Sequence, residues 1–79
     1  MEVVIYSRNN CGYCDRAKIK LQKYNPKIHM LDLDYTREDF FTKFPNAKTF
    51  PQIIINNDHV GGYNELIKWL DMNSLDEDF

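Results

Sequence analysis

Seventy-nine residues leave room for one domain with one modest core, and with 43% hydrophobic and 14% aromatic residues the composition is that of a folded chain. A formal net charge of -2 gives no global electrostatic reason to bind nucleic acid or an anionic membrane surface. No apolar run approaches the roughly 20 residues of a membrane span, and the start Met1-Glu2 lacks the basic and long apolar regions of a secretory signal, so the chain reads as soluble and cytoplasmic.

Val3 to Tyr6 form a continuous apolar run suited to a strand buried on both faces and ending at Ser7. From Cys14 to Tyr24 the spacing turns helical: Cys14, Ala17, Leu21 and Tyr24 share a stripe, while Asp15, Arg16, Lys18, Lys20 and Lys23 lie mostly off it. Asn25-Pro26 ends that helix, Ile28 to Leu33 reads as a second strand, and Asp34-Tyr35-Thr36 as a turn. Such a strand-helix-strand unit joins parallel neighbours through a right-handed crossover. Phe40, Phe41 and Phe44 then recur in a helix from Arg37 to Phe44, stopped by Pro45 and Asn46. Gln52 to Ile55, the turn Asn56-Asn57-Asp58 and the return strand begun by His59-Val60 predict a β-hairpin. After Gly61-Gly62, Asn64 is the expected cap of a last helix whose Leu66, Ile67 and Leu70 face inward, with Trp69 in the core or on the helix surface. Residues 73–79 are expected to form a flexible acidic tail. The order predicts one α/β domain over 1–79, a four-stranded mixed sheet with two parallel and two antiparallel strands flanked by three helices.

Cys11 and Cys14 are the two cysteines of the chain. In a cytosolic setting a lone close pair is more often catalytic or metal-binding than structural. Closing so small a ring removes only roughly 2 kcal/mol of unfolded-chain entropy, a weak reason for a staple. Cys14 heads the apolar stripe and should be buried, whereas Cys11 sits just outside the first helical turn, where unpaired N–H groups and the positive end of the helix dipole favour an anion. An unperturbed thiol with a pKa of about 8.5 is only slightly ionised at neutral pH, and helix N-termini and nearby cations lower that value. Cys11 is therefore the expected exposed nucleophile, with Cys14 resolving the mixed disulfide from within the same site. Arg8, and more weakly Lys18, lie close enough in sequence to help hold the thiolate. Two competing readings are a zinc site built from the pair with His29 and His59, whose spacing is wide for a compact zinc module, and a pair of core cysteines at coincidental spacing.

Three stretches occur in a shared order: Val4-Ile5-Tyr6-Ser7-Arg8-Asn9-Asn10-Cys11-Gly12-Tyr13-Cys14-Asp15-Arg16-Ala17-Lys18, Thr49-Phe50-Pro51-Gln52-Ile53 and Gly61-Gly62-Tyr63-Asn64-Glu65-Leu66. On these the sequence resembles the thioredoxin superfamily and, within it, the glutaredoxins, over nearly the whole chain. The resemblance implies a thioredoxin-like fold and a dithiol disulfide oxidoreductase that uses glutathione as reductant and no metal. Its substrates would be protein disulfides or glutathione mixed disulfides, with ribonucleotide reductase among the candidate acceptors, and it would act as a monomer.

By the same resemblance Pro51 is cis beside the cysteines and the backbone of Phe50 pairs with an extended peptide or the cysteinyl part of glutathione. Gly61-Gly62, with Tyr63 and Asn64, would meet the γ-glutamyl end, and Arg8 the glycyl carboxylate, with Arg37 and Lys48 as weaker candidates. Tyr13, between the cysteines, should border any bound thiol. Asn64 stands where the family often has an acid, leaving two readings, a hydrogen bond to an amine or a helix cap only. Gly12 departs from the proline typical of dithiol glutaredoxins toward the glycine of thioredoxins, while Asn10 replaces the tryptophan that precedes a thioredoxin's first cysteine. Two alternatives stay open: a thioredoxin-like redoxin recharged by a flavoprotein reductase, and a non-catalytic module that binds peptides or glutathione in the Pro51 and Gly62 groove.

Overall fold

The computed structural model describes residues 1–73, so the tail expected over 73–79 falls, apart from Asn73, outside the described residues. Strand β1 (Val3–Ser7) leads into helix α1 (Gly12–Leu21), a 3-10 turn (Gln22–Tyr24) and strand β2 (Lys27–Met30); helix α2 (Arg37–Lys43), strands β3 (Gln52–Ile55) and β4 (Asp58–Gly61) and helix α3 (Tyr63–Met72) follow. The sheet order is β2-β1-β3-β4, with β1 and β2 parallel and the other two pairings antiparallel. This is the mixed sheet with three helices that the pattern predicts.

The apolar run of β1 is used on both faces. Val3 and Ile5 join Ala17, Leu21, Ile53, Ile55, Leu66 and Leu70 in a core beneath α1 and α3. Tyr6 packs on the opposite face against Leu31, Tyr35, Phe40 and Phe44, beneath α2. The helices thus form a layer on either side of the sheet. Ile67 is half-buried, and Trp69 is half-buried against the first core. Among the described residues no helix is long and apolar enough to cross a membrane.

Three local expectations give way to short-range hydrogen bonding. The second strand is Lys27–Met30 rather than Ile28 to Leu33, because the chain folds back at Met30. The Met30 N–H donates to Asp34 Oδ2 at 2.7 Å, the Met30 carbonyl accepts from Leu33 and Asp34 N–H, and Asp32 takes a left-handed φ of 68°. Leu31 stays buried in a bridge with Tyr35, while Leu33 is left 80% exposed. Helix α2, which a Thr36–Asp39 capping box starts, ends at Lys43 with the expected last residue Phe44 as its C-cap; Phe40 and Phe44 lie one turn apart and are buried, while Phe41 turns outward and is 48% exposed. At α3 the cap is Gly62 rather than Asn64: the Gly62 N–H donates to Glu65 Oε1 at 2.9 Å, and Asn64 is an exposed residue of the first turn. The hairpin turn has positive φ at both Asn56 and Asn57, the backbone that suits a two-residue connection.

Tyr35 ties the α2 side of the core to the end of β1, its hydroxyl donating to the Ser7 carbonyl at 2.6 Å. Burial and the nearby Tyr6 raise its pKa to about 12. The folded value lies above the unfolded one of about 10, so the stabilisation is present below about pH 10 and is lost as pH rises through about 12. Tyr35→Phe is expected to remove the component near pH 12 from an ultraviolet phenol titration and to flatten the alkaline fall in urea stability. Near neutrality it should cost only about 1 kcal/mol, because the Ser7 carbonyl still accepts from the Leu31 N–H.

Candidate active site

Strand β1 ends at Ser7, and Asn10, in a left-handed conformation with φ 54°, turns the chain into α1. Cys11 is the N-cap of that helix, in extended conformation. Its carbonyl accepts from the Asp15 N–H at 3.1 Å and its Sγ accepts from the Cys14 N–H at 3.2 Å. The sulfur therefore takes the place that a serine or aspartate oxygen holds in an ordinary cap, at the positive end of the helix. Cys11 and Cys14 are disulfide-bonded, with their Cα atoms 5.2 Å apart.

Cys14 is fully buried on the stripe that continues into Ala17 and Leu21. Cys11 is more covered than an exposed nucleophile was expected to be, only 8% accessible. The covering group is the Phe50 loop, whose carbonyl oxygen lies 3.8 Å from Cys11 Sγ. The pair thus differs in degree: Cys11 keeps a little accessible surface and Cys14 none.

Next to the Phe50 loop that meets Cys11 lies a cleft of about 140 Å³ lined by Tyr13, Thr49, Phe50, Gly62, Tyr63, Asn64 and Glu65, with neither cysteine in its wall. The fold brings Tyr13, Phe50, Gly62, Tyr63 and Asn64 together from three segments. Tyr13, 56% exposed, faces the Tyr63 ring at 5.4 Å, and Phe50 stacks on Phe40 at 4.5 Å. Pro51 is buried, and the Phe50–Pro51 peptide is cis. Gly62 lines the cleft in close quarters, since a Cβ there would stand 3.2 Å from Glu65 Oε1 and 3.5 Å from the Pro51 carbonyl and Thr49 Oγ1. Gly61 does not line this cleft but a neighbouring one of about 310 Å³, together with Lys48; its φ of 123° requires glycine.

Arg8 is likewise not a wall of the cleft. Its guanidinium donates to the Asn9 and Asn10 carbonyls at 3.0 and 3.3 Å and lies 5.7 Å from the centre of the Phe50 ring, bracing the loop. Lys18 is drawn toward Asp15, at 3.9 Å, and the Met30 sulfur, at 4.0 Å. His29 rests against Tyr6 at 5.1 Å and His59 against Phe44 at 4.6 Å. Among the described residues no group of three or more His, Cys, Asp or Glu side chains is gathered that could hold a metal ion. Two lining residues, Thr49 and Glu65, were not singled out as site residues by the sequence. Their signal was membership of the two stretches Thr49-Phe50-Pro51-Gln52-Ile53 and Gly61-Gly62-Tyr63-Asn64-Glu65-Leu66.

Comparison with known proteins bears on the same segments. The glutaredoxin family model matches residues 3–60. Glutaredoxin 1 of Escherichia coli (strain K12) is 32% identical over 82 aligned positions, covering 92% of this chain and 96% of the relative. The solution structure of oxidised Escherichia coli glutaredoxin superposes with a TM-score of 0.76 at 30% identity, covering 92% of this chain and 96% of that one. Glutaredoxin 1 of Francisella tularensis, crystallised with cacodylate, gives the same score and identity over 92% and 95% of the two chains.

Gly12 is the first residue of α1, a Cβ added to it would meet nothing within 4 Å, and Cys11 before it is extended at φ -130° and ψ 103°. All three conditions suit proline, whose missing N–H costs nothing at a first helical position. Gly12→Pro is therefore expected to fold normally and to raise urea stability by about 0.5–1 kcal/mol, through a stiffer unfolded chain.

Proposed function

Because the chain belongs to the glutaredoxin family and is a dithiol disulfide oxidoreductase, we propose that glutathione is its reductant and that it reduces protein disulfides and glutathione mixed disulfides. The observation that carries this reading is the cleft beside Cys11, walled by Tyr13 and Tyr63, the Phe50 loop and the first turn of α3. It suits a short peptide thiol: the sulfur at Cys11, the backbone along Phe50, and a terminal carboxylate at the N–H groups that open α3. With the helix cap taken by Gly62 and Glu65, we read Asn64 as a neutral amide facing the ligand. Arg8 acts in this reading through the loop it braces.

The reaction follows from the placement of the two sulfurs. Reduced Cys11, its charge held by the Cys14 N–H and the helix end, attacks one sulfur of a substrate disulfide, and the other leaves as a thiolate. Cys14, which no substrate can reach directly, gives up its proton and attacks Cys11 Sγ. That step releases the second substrate thiol and closes the Cys11–Cys14 disulfide, so two electrons pass to the substrate. One glutathione then opens the disulfide as a mixed disulfide on Cys11, and a second carries the first away as glutathione disulfide, returning two electrons. We place the protein in the cytoplasm as a monomer, where the glutathione pool can drive this cycle, and count ribonucleotide reductase among its candidate acceptors.

The second reading is recharging by a flavoprotein reductase, an alternative kept because Gly12 is the glycine of thioredoxins, although that residue does not by itself select the reductant. Incubating oxidised protein with glutathione and its reductase, and separately with thioredoxin and its reductase, should give NADPH consumption in the first mixture. Exclusive reduction in the second would overturn the assignment.

Replacing each sulfur separates their roles. Cys11→Ser is expected to lower all disulfide exchange by roughly a hundredfold or more. Cys14→Ser should lose reduction of protein disulfides while still removing glutathione from a glutathionylated peptide, as followed by mass. Full activity of Cys11→Ser would exclude it as the attacker.

A further inference from the structure

Outside the cysteine pair and the cleft, a buried amide forms a chain of hydrogen bonds that ends at the Phe50 loop. Gln52, 4% exposed at the start of β3, donates from Nε2 to the Thr49 carbonyl at 2.9 Å. Its Oε1 lies 2.7 Å from His59 Nε2 on β4. With the amide nitrogen committed to Thr49, the oxygen must accept, so His59 donates from Nε2 whether the ring is neutral or charged. Two features set His59 in place. Its ring lies on Phe44 at 4.6 Å, and the β3–β4 register shifts between Ile53, opposite Gly61, and Ile54, opposite His59.

The Thr49 carbonyl shares a planar trans peptide with the Phe50 N–H, which therefore points the opposite way. Fixing one end of that plane fixes the other. Among the described residues the Phe50 N–H has no backbone or side-chain acceptor, while Phe50 lines the cleft and its own carbonyl lies beside Cys11. We propose that Gln52 and His59 are positioning residues for the exchange reaction: by holding the Thr49 carbonyl they turn the Phe50 N–H toward the substrate backbone. The inference rests on the cleft being the substrate site and adds what orients its wall.

The test is a single-turnover reaction of reduced protein with a glutathionylated peptide, quenched and read by mass, which does not depend on the recycling reductant. Gln52→Met keeps length and removes both hydrogen bonds; His59→Phe keeps the tilted ring contact with Phe44 and removes the donor. Gln52→Met should raise the half-saturating peptide concentration about three- to tenfold with the maximal rate within about twofold. His59→Phe should move it in the same direction, and the double variant should be no worse than Gln52→Met, as for residues acting as one unit. A purely structural role would lower the active fraction and the melting temperature without moving half-saturation. Tyr63→Ala alters the cleft without touching the pair. If Tyr63→Ala raises half-saturation and Gln52→Met does not, the positioning role is wrong and the cleft stands; if neither does, the cleft assignment fails and takes this inference with it.

Discussion

Strand β1 is hydrogen-bonded along both edges and packed on both faces, and every part of the candidate site is located relative to it. Its parallel partner β2 returns the chain after α1, its antiparallel partner β3 begins just after Pro51, and its own end delivers the cysteine loop. The Ser7 carbonyl, at that end, accepts from both Leu31 N–H and Tyr35 hydroxyl, so the strand stops in a fixed position. A residue four places further on can then sit at the tip of a helix with little freedom. The thiol chemistry depends on this confinement, because a helix end favours a negative charge only within about one turn.

Cys11 does at the start of α1 what Thr36 does at the start of α2: it accepts a backbone N–H of the first turn. A hydroxyl in that place only stabilises the helix. A sulfur is both stabiliser and reagent, so charge that would otherwise be costly to hold is favoured where it is needed. The same geometry divides the pair. The N-cap lies outside the helix and keeps a little accessible surface, whereas the residue three positions on points into the core.

Much of this could be read from the sequence because the signals were local. The Cys-x-x-Cys spacing, the apolar run of β1, the helical stripe through Ala17 and Leu21 and the Asn56-Asn57 turn each act over a few residues. What escaped was set by contacts between distant segments or by competition among neighbours. Asp34 ended β2 by capturing the Met30 N–H, and Glu65 made Gly62 rather than Asn64 the cap. Cys11 was covered by Phe50, and Arg8 was turned to the loop carbonyls. Thr49, Gln52 and His59 carry no motif of their own: polar residues in a hairpin are ordinary until the fold shows which carbonyl they hold.

The two walls of the site are 39 residues apart in the chain, since Cys11 meets the carbonyl of Phe50. Bringing them together requires β3 to pair with β1, a long-range contact whose loop-closure entropy must be overcome before the groove exists. The pairing of β3 with β1 is therefore what sets the Phe50 carbonyl against Cys11, so the surroundings of the thiol are a product of the whole sheet and not of the Cys-x-x-Cys segment alone.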